Sequence, residues 1–336
     1  MKRNMYQWVD EVIAAPKKTP VPVLSFPSIQ KMGISVRELT GDSEKQAQGI
    51  RLIADSFRTG AAVSYMDLSL EAEAFGSETR YSGDEVPTVV GSIVDDMESA
   101  EALRVPEVGE GRTGLNLEAI RKAVPLITDR PVFAGCIGPF SLAGRLLDVS
   151  EAMYYCFDEP EMVHLVLDKI TGFLISYMKA YKEAGANGVV MAEPLAGLLS
   201  GELAEEFSAA YVRKIVAAVQ DESFLVVYHN CGNSALSTVD TIVSNGCRVF
   251  HFGNAIDMAE MMPHIPANCI AMGNVDPARQ FRNGSPESVY AATAELMEKC
   301  SRFPNFVPSS GCDIPPMSSW DNISAFFRAI EDFYNK

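Results

Sequence analysis

FLVVYHNC (224–231) is the most informative stretch of this chain of 336 residues, because an apolar, β-prone run leads directly into a histidine and a cysteine. Runs of this kind are typical of parallel strands that helices cover on both faces. The eight such runs are VPVLSF (21–26), AAVSYMD (61–67), PVFAGCIG (131–138), GVVMAEP (188–194), FLVVYHNC (224–231), RVFHFG (248–253), CIAMGNVD (269–276) and NFVPSSGC (305–312).

The runs alternate with longer amphipathic stretches, and this order predicts an α/β fold. Eight strands alternating with helices favour a (β/α)8 TIM barrel. A doubly wound open sheet is the alternative, but no glycine-rich phosphate loop follows the first run. We expect a single domain over residues 1–336. The polar segment 76–113, between the second and third strands, reads as an insertion over the barrel mouth.

Composition excludes several classes of protein. With 47% hydrophobic residues the chain is too apolar to be disordered, and a net charge of −16 disfavours nucleic acid as a partner. Seven cysteines, an odd number, suggest no disulfide framework and fit a reducing cytoplasm. No run approaches the roughly 18 apolar residues of a membrane span, and the N-terminus lacks the apolar core of a signal peptide. We therefore expect a cytoplasmic protein without membrane or nucleic-acid partners.

The ends of the fifth and eighth strands carry metal-ligand chemistry. His229 and Cys231 are two residues apart, so on a strand their side chains point the same way. Cys312 ends the eighth strand, and strand C-termini meet at the active-site mouth of a barrel. Two thiolates and one imidazole with an open fourth position are typical of catalytic zinc. The alternative is that both cysteines are inert core thiols, since an H-x-C pair often occurs by chance.

Five motifs together resemble the uroporphyrinogen decarboxylase superfamily, and most closely its methylcobalamin:coenzyme M methyltransferase branch. The likeness runs from about residue 20 to the end, and it implies a (β/α)8 barrel. It also implies one zinc ion bound by His229, Cys231 and Cys312. The motifs are CIGPFSLAG (136–144), MAEPLAGLLS (191–200), YHNCGN (228–233), GNVDP (273–277) and SSGCDIP (309–315).

The resemblance implies that a methyl group moves from a methylated corrinoid, on a separate corrinoid-carrying protein, to a small thiol such as coenzyme M. A zinc-bound thiolate suits this role, because the thiolate rather than the thiol is nucleophilic. The rivals are a metal-free uroporphyrinogen decarboxylase, a methyltransferase that uses homocysteine, and a non-catalytic corrinoid- or metal-binding module. The decarboxylase branch grips a polycarboxylate with paired arginines, and VLSFPSIQKMGISVREL (23–39) contains only one arginine.

Four further polar residues lie at predicted strand ends. Glu193 is a candidate fourth zinc ligand or base for the thiol proton, with a structural salt bridge as the alternative. Asp276 is expected to orient His229 or line the pocket, or else to cap the next helix. Asp67 aligns with the catalytic aspartate segment of the decarboxylases, but methyltransferase relatives look similar there. His251 is a weaker active-site candidate.

Candidate substrate-binding residues complete the predicted site. Asn233 and Asn274 could donate hydrogen bonds to substrate, although asparagine after glycine is also ordinary turn chemistry. Arg145 and Arg279 are candidates for binding the sulfonate of coenzyme M, with surface ion pairs as the alternative. The sequence leaves open whether the chain forms a homo-oligomer.

Overall fold

The computed structural model describes residues 3–336 and contains a curled, parallel sheet of seven strands in the order β1-β4-β5-β6-β7-β8-β9. Two short antiparallel strands, β2 and β3, form a separate hairpin. The strands are β1 Ala62–Val63, β2 Glu78–Arg80, β3 Thr88–Val90, β4 Val132–Ile137, β5 Gly188–Ala192, β6 Leu225–Asn230, β7 Val249–Phe252, β8 Ile270–Val275 and β9 Phe306–Ser310.

Helices follow the strands and surround the sheet. Among residues 3–336, no helix combines the length and the apolar character that crossing a bilayer requires. The helices are α1 Met5–Ala14, α2 Ser28–Met32, α3 Val36–Thr40, α4 Ser43–Ser56, α5 Leu70–Phe75, α6 Met97–Ala102, α7 Arg112–Ala123, α8 Pro139–Leu147, α9 Val149–Asp158, α10 Pro160–Glu183, α11 Gly201–Ala204, α12 Ala210–Val219, α13 Val239–Val243, α14 Met258–Met261, α15 Pro286–Cys300 and α16 Trp320–Asn335. Three 3₁₀ turns (Val124–Leu126, Pro194–Leu198, Met262–His264) and two π-helical turns (Glu205–Ala209, Pro277–Arg282) complete the set.

The first predicted strand, 21–26, is extended but is not a regular strand, so that expectation is wrong in detail. Pro20 and Pro22 have no backbone N–H, and a ladder cannot continue through them. The segment nevertheless occupies the eighth position, because the Val21 N–H donates to the Pro308 carbonyl at 3.1 Å and the Pro20 carbonyl accepts a bond from the chain just before β1. The predicted (β/α)8 barrel is thereby confirmed.

Alternate residues of the strands fill the barrel interior. On β6, Leu225 and Val227 belong to the interior cluster, whereas Val226 and Tyr228 pack outward against the helices. Helix α1 contributes Val9 to the same interior cluster. This alternation determines which side chains reach the mouth at the C-terminal ends of the strands.

The segment between β1 and β4 carries the predicted insertion. It contains the β2–β3 hairpin and α6, and its backbone bonds to the end of α8, where Ile93 N–H donates to the Leu146 carbonyl at 2.8 Å. The side chain of Lys169, on α10, donates to three carbonyls at the end of α6. The insertion is therefore ordered against the barrel helices.

Candidate metal centre

The inward face of β6 continues directly into the candidate metal centre. His229 follows Leu225 and Val227 on the interior side, and Cys231 follows it. The ligand atoms of His229, Cys231 and Cys312 all lie within 4.8 Å of one another, with Cys312 Sγ 3.5 Å from His229 Nε2. Tetrahedral zinc with Zn–S of about 2.3 Å and Zn–N of about 2.0 Å places such atoms about 3.5 Å apart. The donor set therefore fits zinc.

The thiols of Cys231 and Cys312 differ in pKa. Their mutual hydrogen bond lowers the pKa of Cys231, against the effect of burial, and raises the pKa of Cys312 to about 12. A pair of adjacent thiols that loses its first proton retains the second because two neighbouring negative charges repel. A divalent cation between them would remove that penalty, which is the usual electrostatic role of a metal at a thiolate site.

A glycine in the loop after β7 lets the two cysteine segments approach each other. A Cβ at Gly253 would lie 2.4 Å from Cys231 Cβ, and a Cβ at Gly311 would lie 2.8 Å from Asn254 N. The pair Gly253-Asn254 thus sits between the segments that carry the two cysteines. Sequence reasoning missed its role, although Gly-Asn recurs at 232–233, 253–254 and 273–274, in or just after three strands.

His251 is the immediate neighbour of the candidate ligand His229. The two residues are opposite each other in the β6–β7 register, and their Nδ1 atoms are 2.6 Å apart. His251 Nε2 lies 2.8 Å from the Ser309 hydroxyl, and the His251 side chain is fully buried. Burial, and then the neighbouring His229, lower the pKa of His251 well below its ordinary value, which favours the neutral imidazole.

A cavity of about 700 Å³ opens at the barrel mouth under the loop of the β2–β3 hairpin. Asp313, the residue after Cys312, lies in its wall, so the cavity adjoins the candidate centre. Arg145 and Arg282 also line it, and neither guanidinium forms a hydrogen bond or ion pair within residues 3–336. Burial lowers the pKa of Arg145, as expected for a cation that lacks an acidic partner.

Comparison with known proteins identifies the family. A sequence model of the family "Uroporphyrinogen decarboxylase (URO-D)" matches residues 16–333. The chain belongs to the uroporphyrinogen decarboxylase family. It is 32% identical, over 80% of its length and 78% of the relative's, to "Methylcobamide:CoM methyltransferase MtbA" of Methanosarcina acetivorans. It is 26% identical, over 82% and 78%, to the uroporphyrinogen decarboxylase of Coxiella burnetii.

The solved structures show the same fold for this URO-D family chain. A "methyltransferase from Methanosarcina mazei" superposes with a TM-score of 0.85 at 24% sequence identity, covering 99% of each chain. At this identity the likeness establishes the architecture, including the whole insertion, rather than the reaction.

Glu193 does not join the metal centre in this URO-D barrel, which corrects its prediction as a fourth ligand. On β5, Val190 and Ala192 face the interior, so Glu193 has the opposite phase and points to the helices. Its carboxylate accepts the backbone N–H groups of Phe140 (2.8 Å) and Ser141 (3.0 Å), at the start of α8, and the hydroxyl of Ser208 (2.8 Å). Burial raises its pKa, and these bonds oppose that shift.

Glu193→Gln is therefore expected to lower stability while leaving metal content unchanged. The amide places an NH₂ group where an acceptor is needed, and an unsatisfied buried pair costs about 1–3 kcal/mol. Denaturant unfolding and zinc analysis of the purified variant measure both effects. Glu202→Gln, on an exposed side chain nearby, is the control and should change neither. Loss of bound zinc in Glu193→Gln with unchanged stability would restore the ligand role.

Two other predicted site residues, Asp276 and Asn274, bond to loop backbone, and a third, Asn233, is exposed. Asp276 accepts the N–H groups at the start of the turn Pro277–Arg282, so its alternative role as a cap is the one observed, and His251 takes the place beside His229 that Asp276 was expected to fill. Asn274 donates to two carbonyls of the loop after β7, each at 2.9 Å. Asn233 is exposed after β6.

The carboxylate of Asp67 forms an ion pair with a buried arginine in this member of the family. That arginine is Arg112, which also bonds to Ser69 (2.9 Å) and Glu73 (2.8 Å). The side chains of Asp67 and Arg112 are only 3% and 8% exposed. Because Arg112 begins α7 at the end of the insertion, Asp67 fastens the insertion to β1 and is not open to a substrate.

Arg279 lies away from the mouth cavity, which corrects its prediction as a binder of the acceptor. It is exposed and lines a separate depression together with Asp257 and Lys299. The next basic residue on the same π-helical turn, Arg282, faces the mouth cavity. Residues three apart share a face of an α-helix, but in the wider π-helical turn they point in different directions, and the sequence did not indicate a π-helical turn here.

Proposed function

We propose that this chain is a zinc-dependent methyltransferase that moves a methyl group from a methylated corrinoid protein to a small thiol, with coenzyme M favoured. The convergence of His229, Cys231 and Cys312 at zinc-like spacing carries the proposal. The 32% identity to a methylcobamide:CoM methyltransferase supports it.

The three candidate ligands would have different chemical roles. Zinc held there would supply a Lewis acid with an open fourth position, which lowers the pKa of a substrate thiol. His229 contributes a neutral nitrogen, whereas Cys231 and Cys312 contribute negative charge that keeps a neighbouring sulfur electron-rich. The loop of the β2–β3 hairpin lines the cavity beside this position.

The cavity beside the centre favours an anionic acceptor. Arg145 is half-buried without an acidic partner, and Arg282 faces the same space. The exposed acids Asp84 and Glu85, on the hairpin loop, and the half-buried Asp313 also line this space. A thiol that ends in a sulfonate would pair with the two arginines through charge-assisted hydrogen bonds, each worth about 1.5–3 kcal/mol.

The methyl donor must reach the same mouth from outside. We propose that a separate corrinoid-carrying protein docks there, with the β2–β3 hairpin as one edge of the contact, and that residues 1–336 act as one cytoplasmic domain. The decarboxylase alternative is less favoured for two reasons. Asp67 is held in an ion pair by Arg112, and no pair of arginines follows the first apolar run, residues 21–26.

An assay with four thiols tests this function. The zinc-loaded chain is mixed anaerobically with methylcobalamin and with coenzyme M, 2-mercaptoethanol, cysteamine or homocysteine, and the loss of the methyl–cobalt spectrum is followed. We expect coenzyme M to exceed neutral 2-mercaptoethanol in kcat/KM by about 10-fold or more, since one charge-assisted bond is worth about 1.5 kcal/mol or more and a factor of ten corresponds to about 1.4 kcal/mol. Arg145→Gln should reduce that ratio, and the off-cavity control Arg279→Gln should not.

Three outcomes would contradict the proposal. Demethylation with none of the thiols would exclude this reaction, and release of CO₂ from uroporphyrinogen would identify a decarboxylase. A clear preference for homocysteine would retain methyl transfer but replace the acceptor.

A further inference from the structure

We infer that His251 and Ser309 are positioning residues that hold His229 in a single tautomer, with its proton on Nδ1 and the Nε2 lone pair facing the two cysteines. The inference deepens the proposed metal centre and rests on it for its consequence, although the tautomer itself is a property of the metal-free chain. Nothing in the H-x-C pattern of the sequence specifies which nitrogen of His229 carries the proton.

The first step starts from a backbone carbonyl, which can only accept a hydrogen bond. The Ser309 hydroxyl lies 2.7 Å from the Val21 carbonyl and therefore donates its single proton to it. The same oxygen lies 2.8 Å from His251 Nε2 and has only lone pairs left for that contact. His251 consequently carries a proton on Nε2.

The second step passes from His251 to His229. The carbonyl oxygen of His251 can only accept a hydrogen bond, and it lies 3.3 Å from His229 Nδ1. His229 Nδ1 therefore carries a proton, and His251 Nδ1, 2.6 Å away, presents its lone pair to that N–H. The neutral imidazole of His229 has a single proton, so its Nε2 keeps a lone pair, 3.5 Å from Cys312 Sγ.

The barrel strands place the residues of this hydrogen-bond chain, which runs from the Val21 carbonyl through Ser309 and His251 to His229. His229 and His251 are register partners on adjacent strands, and Ser309 follows the inward-facing Val307 on β9. Val21 lies in the proline-interrupted segment that replaces the first strand. The segment that closes the barrel is thus connected, through two side chains, to the orientation of the candidate ligand. Metal-bound histidines depend on such partners, whose loss costs about 10- to 100-fold in metal affinity or activity.

Nitrogen NMR of the full-length, metal-free chain tests the tautomer directly. The chain has only four histidines, so their two-bond ¹⁵N–¹H correlations can be assigned by substitution. We expect His229 to show a protonated Nδ1 and His251 a protonated Nε2. A protonated Nε2 on His229 would overturn the inference, whatever the zinc content or activity of the protein.

Zinc affinity, measured by competition with a chromogenic chelator, tests the consequence. Ser309→Ala and His251→Leu are expected to weaken zinc binding by about 10-fold or more. His251→Asn should retain most of the affinity because its Oδ1 can replace Nδ1 as acceptor. Ser310→Ala is the matched control, since Ser310 is an equally buried neighbour whose hydroxyl accepts only from Val23 N–H, at 3.1 Å.

The variants remain informative when stability changes. Circular dichroism and thermal unfolding identify a variant that has lost its fold, and in that case the NMR result on the unmodified chain decides. Folded Ser309→Ala and His251→Leu that bind zinc as tightly as Ser310→Ala would overturn the positioning role. If the tautomers are as expected but the methyl-transfer assay fails, the result contradicts the proposed reaction. It does not contradict this hydrogen-bond chain.

Discussion

Cys312→Ser is expected to remove bound zinc from the chain and to abolish thiol-dependent demethylation of methylcobalamin. The unmodified protein should carry about one zinc ion per chain, held by one imidazole and two thiolates. Loss of a residue that merely orients a ligand lowers metal affinity or activity about 10- to 100-fold, so loss of a ligand should lower affinity by at least about 100-fold. Metal analysis and cobalt(II) substitution, which reports thiolate ligation by its charge-transfer absorption, measure the effect.

Cys156→Ser is the matched control for this substitution. The thiol of Cys156 is buried on α9 and donates to the Ala152 carbonyl at 3.1 Å, a bond that a serine hydroxyl can form equally well. Added zinc should raise the thermal midpoint of the unmodified chain and of Cys156→Ser, but not that of Cys312→Ser, because a ligand stabilises only the state that binds it. Full zinc occupancy and unchanged affinity in Cys312→Ser would refute the site.

The candidate ligands were accessible to sequence reasoning because strand geometry has a period of two. His229 and Cys231 share a face by spacing alone, and the closed barrel brings Cys312 to them from a distant strand. Only the fold class was needed to join these positions. The presence of the metal stays a prediction that the Cys312→Ser experiment decides.

The prediction for Glu193 was wrong because the sequence does not show which alternate side chains of β5 face the barrel interior. The sequence places Glu193 at the end of β5 but does not reveal which set of alternate residues faces the interior, since every residue of β5 is apolar and buried. A fully buried parallel strand lacks the alternation that would indicate its phase. Inward-facing Ala192 is followed by a carboxylate that points to α8.

Partners of the ligands were harder to predict, because they depend on register between strands. His251 meets His229 only through the β6–β7 pairing, and Ser309 reaches His251 from β9. Arg112 could not be placed either, since it enters from an insertion whose path over the mouth has no periodic signal. These side chains contribute orientation and ion pairing, which no spacing rule encodes.

Arg112→Met is expected to destabilise the protein by about 3–5 kcal/mol, the range for removing one partner of a buried ion pair. The loss is large because the carboxyl group of Asp67, whose side chain is 3% exposed, would be left buried without its cation. Glu73 would lose the same cation. Arg112→Lys should recover only part of it, because one ammonium group cannot bind Asp67, Ser69 and Glu73 as a guanidinium does. Denaturant unfolding measures the difference.

Arg121→Met, on the same helix, is the control, because its pairing with Glu118 is largely exposed and such pairs contribute about 0–1 kcal/mol. Adding Asp67→Asn to Arg112→Met removes the uncompensated charge and should restore part of the lost stability. The double variant also decides the role of Asp67. If it demethylates methylcobalamin at an appreciable rate, Asp67 serves to fasten the insertion; if it is stable but inactive, while Arg112→Lys is active, the carboxylate takes part in the reaction. A loss below about 1 kcal/mol in Arg112→Met would contradict the buried pairing itself.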